Sequence, residues 1–143
     1  MSDEEVLLEV TNGHLNTGLR GVPVGTCRTS FVTPNEGVHY CGYPIKELTN
    51  FSPEDIVYLL FNKELPNPQQ SAEIRADLSK RGEIPGDLVA VFRTLPKHGH
   101  PMDWLSVAIH TIGMWETTDD WKEDAMNLIA RMPRIMGLMY RVR

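Results

Sequence analysis

Five histidines are the side chains best suited to move protons near neutral pH: His14, His39, His98, His100 and His110. An imidazole works as a general acid or base only with a reacting group inside hydrogen-bond reach. The local sequence gives each of them another job. His98 and His100 precede Pro101, which opens a helix, so His100 is expected to tether the helix start or to pack beneath it. His14 falls in a polar tail expected to be mobile, and His39 lies in a β-prone run where it reads as solvent-facing. His110 lies within the Pro101 helix and reads as a packed or hydrogen-bonded imidazole. Cys27 and Cys41 make no disulfide framework, although both fall in one expected hairpin where a cross-strand pair is conceivable. No CxxC or Cys/His spacing suggests zinc, so no metal site is expected.

The bulk properties bound what surrounds these groups. A chain of 143 residues is one domain's worth or less. Its net charge of −5 argues against non-specific binding to nucleic acid or to an anionic membrane surface. A small anionic ligand needs only a few local positive groups and stays open. The N-terminal Met1-Ser2-Asp3-Glu4-Glu5 is acidic, without a hydrophobic signal core or Arg-rich transit character. No apolar run approaches the ~20 residues of a membrane span. A soluble, reducing, cytoplasmic setting is the expectation.

The elements that would position the candidates can be read in order. Residues 1–25 are a polar tail with scattered glycines, and 26–43 read as a β-hairpin. Its strands are Thr26 to Phe31 and Val38 to Tyr43, and Thr33-Pro34-Asn35-Glu36-Gly37 supplies the turn, with Pro to preset φ and Gly to permit positive φ. Residues 44–143 read as helical. Pro44 to Thr49 is a short helical turn, and Ser52-Pro53-Glu54-Asp55 is a strong helix start. Ile56, Val57, Leu59, Leu60 and Phe61 cover more than one face, so that helix should be well buried. Pro66 and Pro68 separate it from a surface helix that runs to about Lys80, with Gly82 punctuating its end. Pro85 opens a helix carrying Leu88, Val89, Val91, Phe92 and Leu95 inward, and Pro101 opens one with Met102, Leu105, Ala108, Ile109 and Ile112 at helical spacing. Thr117-Thr118-Asp119-Asp120 caps a last helix, which Pro133 should kink. Beyond it, Ile135-Met136-Gly137-Leu138-Met139-Tyr140 is apolar nearly all round and asks for cover on every side. Either the chain is cut mid-domain, or another chain covers the helix, or the helix packs at the surface. The tryptophans and the methionines from Met132 to Met139 read as core.

Five short segments occur in a meaningful order: Gly18-Leu19-Arg20-Gly21-Val22, Gly37-Val38-His39-Tyr40-Cys41-Gly42-Tyr43-Pro44-Ile45, Asn62-Lys63-Glu64-Leu65-Pro66, His98-Gly99-His100-Pro101-Met102-Asp103 and Leu128-Ile129-Ala130-Arg131-Met132-Pro133. With them the chain, from Gly18 to Arg143, resembles the citrate synthase family. The resemblance implies a mainly α, multihelical fold with a small N-terminal β-hairpin, this sequence being the N-terminal part of the large domain only. It implies a condensation of oxaloacetate with acetyl-CoA, giving citrate and CoA. There a carboxylate takes a proton from the thioester methyl, one histidine stabilises the enol and a second polarises the keto acid. Such chemistry needs acid and base on opposite sides of a closed, dry pocket, which domain closure supplies. The family's His-Gly-Gly, Gly-His and Asp-Pro-Arg segments have no counterpart here. No catalytic residue is therefore assigned, and the chain alone is expected to be inactive.

By the same resemblance, Arg20 occupies the place of an arginine that approaches a CoA phosphate across the dimer in eukaryotic-type members. A guanidinium beside glycine reaches a phosphate with little obstruction; the alternative is an exposed loop arginine. Cys41 stands where the family usually has Arg. The helices after Pro85 and Pro101 would belong to the antiparallel dimer interface, with Leu88, Phe92, Met102, Leu105, Ala108, Ile109 and Ile112 as its candidates, or they form ordinary core. Trp104, Val107 and His110 would add bulk outside the apolar stripe, and Ala108 and Gly113 would permit close helix approach. The implied partners are acetyl-CoA, oxaloacetate and a second copy of the chain, with no nucleic acid, no membrane and no cofactor besides acetyl-CoA as substrate. Three alternatives stay open: a 2-methylcitrate synthase using propionyl-CoA, a truncated non-catalytic paralogue acting as a dimerisation module, and an unrelated helical binding module.

Overall fold

The computed structural model describes residues 5–18 and 20–143. It divides into two compact units, the first ending at Glu47 and the second beginning at Leu48.

In the first unit a 3-10 helix spans Asn12–Asn16. His14, expected in a mobile tail, sits within it and accepts the Thr11 N–H on Nδ1 at 3.0 Å. The hairpin pairs β1 (Ser30–Thr33) with β2 (Gly37–Tyr40), in a register running from Ser30 opposite Tyr40 to Thr33 opposite Gly37. Its turn is held by the Glu36 N–H donating to Thr33 Oγ1 at 3.0 Å. A third strand, β3 (Tyr43–Pro44), adds to β2, so the sheet order is β1-β2-β3. The link is Cys41-Gly42, with φ of 49° and 92°. Two successive positive φ values are the signature of the tight turn that suits strand twist. β1 begins at Ser30 and not at the expected Thr26 because β2 turns away at Cys41. Past Ser30 the Cys41 N–H still donates to the Thr29 C=O at 2.8 Å, but residues 22–27 lie outside any strand. The short helix α1 (Ile45–Leu48) follows.

The second unit holds five longer helices: α2 (Pro53–Asn62), α3 (Pro68–Arg81), α4 (Gly86–Thr94), α5 (Pro101–Glu116) and α6 (Trp121–Val142). Their starts follow from side chains that satisfy otherwise orphaned amides. Ser52 and Asp55 cap α2 reciprocally, at 3.3 and 3.0 Å. Asn67 and Gln70 do the same for α3, both at 2.9 Å. Asp120 accepts the Lys122 N–H at 2.8 Å to start α6. The helix runs through Pro133 without interruption. Pro85 lies in the cap position of α4, one residue before the helix.

Two expectations need correction. In α2 only Asp55 and Leu59 are buried. Ile56, Val57, Leu60 and Phe61 are half-covered, because within this unit α3 packs against α2 while α6 reaches it at Phe61, whose ring stacks on Trp121 at 6.1 Å, without closing over the helix. Gly82 ends α3 with φ of −68°, well outside the left-handed region. Its reason is space: a Cβ there would lie 3.3 Å from the Ala130 carbonyl oxygen of α6.

The core is one cluster of Leu88 and Phe92 from α4, Trp104, Ala108 and Ile112 from α5, and Ile135 and Met139 from α6. Phe92 and Trp104 pack with ring centroids 5.4 Å apart and tilted planes, a favoured aromatic geometry. The indole N–H donates to the Pro96 carbonyl at 3.2 Å, so the one polar atom of this buried ring is satisfied.

Candidate functional site

The histidines do not converge on an acid–base centre. His100 caps α5, its Nδ1 accepting the Met102 N–H at 3.2 Å, the tethering role expected of it. His98 is exposed. His110 is also exposed on α5, which corrects the expectation of a packed or hydrogen-bonded ring. His39 is the larger correction, since it is buried at 7% exposure. The third strand makes β2 the central strand, and Phe31 stacks on the His39 ring at 4.4 Å with planes 5° apart. Its Nδ1 is buried with no partner. Among the described residues no histidine pairs with a carboxylate, and no three His, Cys, Asp or Glu side chains come together as a metal site.

Arg20 lies exposed in a loop, its N–H donating to the Thr17 carbonyl at 3.2 Å. Gly18 and Gly21 beside it have φ of 59° and 79°, a conformation glycine adopts without a steric cost. Leu19, part of the same segment, lies outside the described residues.

The helix candidates separate into two sets. Leu88, Phe92 and Ala108 are wholly buried and Ile112 is 6% exposed. They are consumed by the chain's own core and have no surface to give a partner. Met102 is exposed, and Leu105 and Ile109 are half-buried. Trp104, expected outside the apolar stripe, lies at its centre with 2% exposure. The buried face of α5 is Trp104, Ala108, Thr111 and Ile112. Met102 precedes Trp104 by two residues, roughly 200° around the helix, so burying the indole turns Met102 outward. Uncovered apolar side chains remain along both long helices: Met114 and Trp115 on α5, and Trp121, Ile129, Met136 and Tyr140 on α6. Of the apolar run after Pro133, Ile135 and Met139 enter the core while Tyr140 is 91% exposed.

Three polar ties that the sequence reading missed hold these helices in place. Arg81 at the end of α3 donates to Asp77 at 2.7 Å, to both Glu123 oxygens at 2.6 and 3.3 Å, and to Asn127 at 2.9 Å. The hydrogen bond with Glu123, against the opposing effect of burial and with Asp77 assisting, holds its guanidinium above its ordinary pKa. Asp55 accepts from the Ser71 hydroxyl at 2.5 Å and pairs with Arg75 at 3.4 Å. Burial pushes its carboxyl up, but the hydrogen bonds from Ser71 and Ser52 and the Arg75 charge together hold it below the usual carboxylate range. Arg131 of α6 pairs with Glu116 of α5. Beside that pair lies a cleft of about 190 Å³ lined by Ile109, Ile112, Gly113 and Leu128. Only Asp77 with Arg81 carried a signal, the four-residue spacing on one helix face.

With this geometry in hand, comparison with known proteins gives a consistent answer. A family model for the citrate synthase C-terminal domain matches residues 18–143. The mitochondrial 2-methylcitrate synthase of Emericella nidulans is 26% identical over 96% of this chain and 35% of its own length. The mitochondrial citrate synthase of Saccharomyces cerevisiae is 29% identical over 96% of this chain and 33% of its own. Citrate synthase from Thermoplasma acidophilum, solved with carboxymethyl coenzyme A and oxaloacetate, superposes with a TM-score of 0.78 at 25% identity, over 88% of this chain and 35% of that one. The Pyrobaculum aerophilum enzyme gives a TM-score of 0.77 at 26% identity. The chain thus spans about a third of the length of the relatives it matches. It belongs to the citrate synthase family.

Proposed function

We propose that this chain is the N-terminal share of the large domain of a citrate synthase-type acyltransferase. The whole protein would condense oxaloacetate with acetyl-CoA and release citrate and CoA, acetyl-CoA entering as substrate with no further cofactor. One observation carries this reading. The fold matches, over most of this chain, an enzyme solved with both a CoA analogue and oxaloacetate. The scattered histidines fit a scaffold role: they cap, stack or face solvent, and the proton transfers would fall to polypeptide outside these 143 residues. Arg20 is our candidate for a CoA phosphate contact, because an exposed guanidinium between glycines is free to reach one. The uncovered faces of α5 and α6 support a homodimer, with Met102, Leu105 and Ile109 as contributors and Leu88, Phe92, Ala108 and Ile112 packed behind them.

Relatives of similar identity carry the names citrate synthase and 2-methylcitrate synthase, so propionyl-CoA is the second reading of the acyl donor. The setting we propose is cytoplasmic, while the Emericella nidulans and Saccharomyces cerevisiae relatives are mitochondrial by name. The test is CoA release from acetyl-CoA or propionyl-CoA with oxaloacetate. The 143-residue chain should release none, and a polypeptide extended to the length of its relatives should turn over with one of the two donors. Turnover by the chain alone, or a folded extended polypeptide inert with both, overturns the proposal.

A further inference from the structure

The hairpin unit places both cysteines of the chain around one residue. Cys41 extends the β1–β2 ladder by donating its N–H to the Thr29 carbonyl at 2.8 Å, and its Sγ lies 3.8 Å from that same oxygen. Cys27 approaches the same residue, its Sγ 3.4 Å from Thr29 Oγ1 and 3.6 Å from Ser30 Oγ. Both sulfurs are thiols. Cys27 is exposed and lies at the end of residues 22–27, a stretch outside any helix or strand. Cys41 is held by the turn between β2 and β3. One sulfur is therefore accessible on backbone outside the ladder, and the other is anchored against the same residue, Thr29.

We propose that Cys27 and Cys41 are a redox pair that closes to an intrachain disulfide when the protein meets hydrogen peroxide. Cys27 is the attacking sulfur: its thiolate displaces hydroxide from the peroxide, the O–O bond breaks and an S–O bond forms. Cys41 then attacks the resulting sulfenic acid. The S–S bond forms, the S–O bond breaks, and the leaving hydroxide takes the Cys41 proton as water. Two thiols lose two electrons and the peroxide is reduced to two waters. The order of events follows from environment. The hydroxyls of Thr29 and Ser30, followed by their backbone N–H groups, lower the Cys27 pKa to about 6, so its thiolate predominates at neutral pH. A disulfide needs the two Cα atoms within roughly 7 Å, and the unladdered segment before Arg28 supplies the movement to reach it. The bond would tie that segment to the edge of the sheet.

The experiment is to treat the chain with one equivalent of hydrogen peroxide, alkylate, digest with trypsin and read the products by mass spectrometry. Cleavage after Arg20, Arg28 and Lys46 puts the two cysteines on different peptides. The expected product is those two peptides joined, lighter than their sum by two hydrogens and separated by reductant. C41S should instead accumulate a sulfenic acid at Cys27 that a dimedone probe captures. C27S should leave Cys41 alkylatable at the same dose. Peroxide that drives Cys27 to sulfinic acid while Cys41 remains alkylatable overturns the proposal, as does a disulfide formed only between two chains. Equal oxidation of Cys41 in C27S overturns the assignment of Cys27 as the attacking sulfur.

Discussion

Arg81 offers a measurable test of how α3 is fastened to α6. Its guanidinium serves Asp77 on its own helix and Glu123 and Asn127 on the other. The side chain is 21% exposed, while Asp77 and Glu123 are 40% and 51% exposed. Water therefore screens both pairs, and the low-dielectric value of a buried pair does not apply. The Asp77 contact, four residues apart on one helix, is worth about 0.3–0.5 kcal/mol. The forked contact to Glu123 should sit at the upper end for exposed pairs, about 1 kcal/mol. With the Asn127 bond added, Arg81→Met should cost about 1–2 kcal/mol. Half-exposed partners rehydrate when abandoned, so no larger penalty follows. Arg81→Lys keeps the charge but loses the fork and should recover less than half of the loss. The assay is urea unfolding followed by far-UV circular dichroism, with a double-mutant cycle through Glu123→Gln. A coupling of about 0.5–1 kcal/mol is expected, shrinking at molar salt. If Arg81→Met costs the same whether residue 123 is Glu or Gln, the tie between the helices is not carried by this pair and the reasoning fails.

Two further outcomes follow from the same packing. Phe92→Ala empties a wholly buried site against Trp104 and should cost about 3–5 kcal/mol, read as a drop in thermal midpoint; a loss under about 1 kcal/mol would mean that the cluster is not the core. Asp55→Asn should be less stable than the parent at neutral pH. The folded carboxyl lies below its unfolded value, so its contribution is fully present above about pH 4 and fades as pH falls through the folded pKa. A gap between the two proteins that stays constant into acid would remove Asp55 as its source.

Helix starts were legible because they depend on neighbours in sequence. Ser52 with Asp55, Pro68 at the first position of α3, and His100 before Pro101 each act within three residues, although the Asn67 and Gln70 cap of α3 went unread. The hairpin turn was legible for the same reason. What escaped depends on partners far along the chain. The face of α5 is set by where the Trp104 indole finds Phe92 and the Pro96 carbonyl; periodicity placed Ala108 and Ile112 in the core but put Met102 where Trp104 belongs. The burial of His39 depends on a third strand of two residues, entered through a Cys-Gly turn that lacks the usual Asn-Gly signal. Glu123 and Asn127 lie more than forty residues from Arg81, beyond any local spacing rule. The family motifs revealed the fold, and the missing His-Gly-Gly, Gly-His and Asp-Pro-Arg segments already left no catalytic residue to assign; the structure added where each histidine lies.

The bare Cα of Gly82 meets α6 at Ala130, close to the midpoint of a rod of 22 residues. A main-chain oxygen cannot swing aside as a side chain can, so a methyl group at that spot would need the backbone of α6 or the end of α3 to give by a few tenths of an ångström. That contact lies along α6 between Glu123 and Asn127, which hold Arg81, and Ile135 and Met139, which enter the core. The missing side chain of Gly82 thus sets how closely α3 ends against α6, between a polar clasp on one side and an apolar cluster on the other.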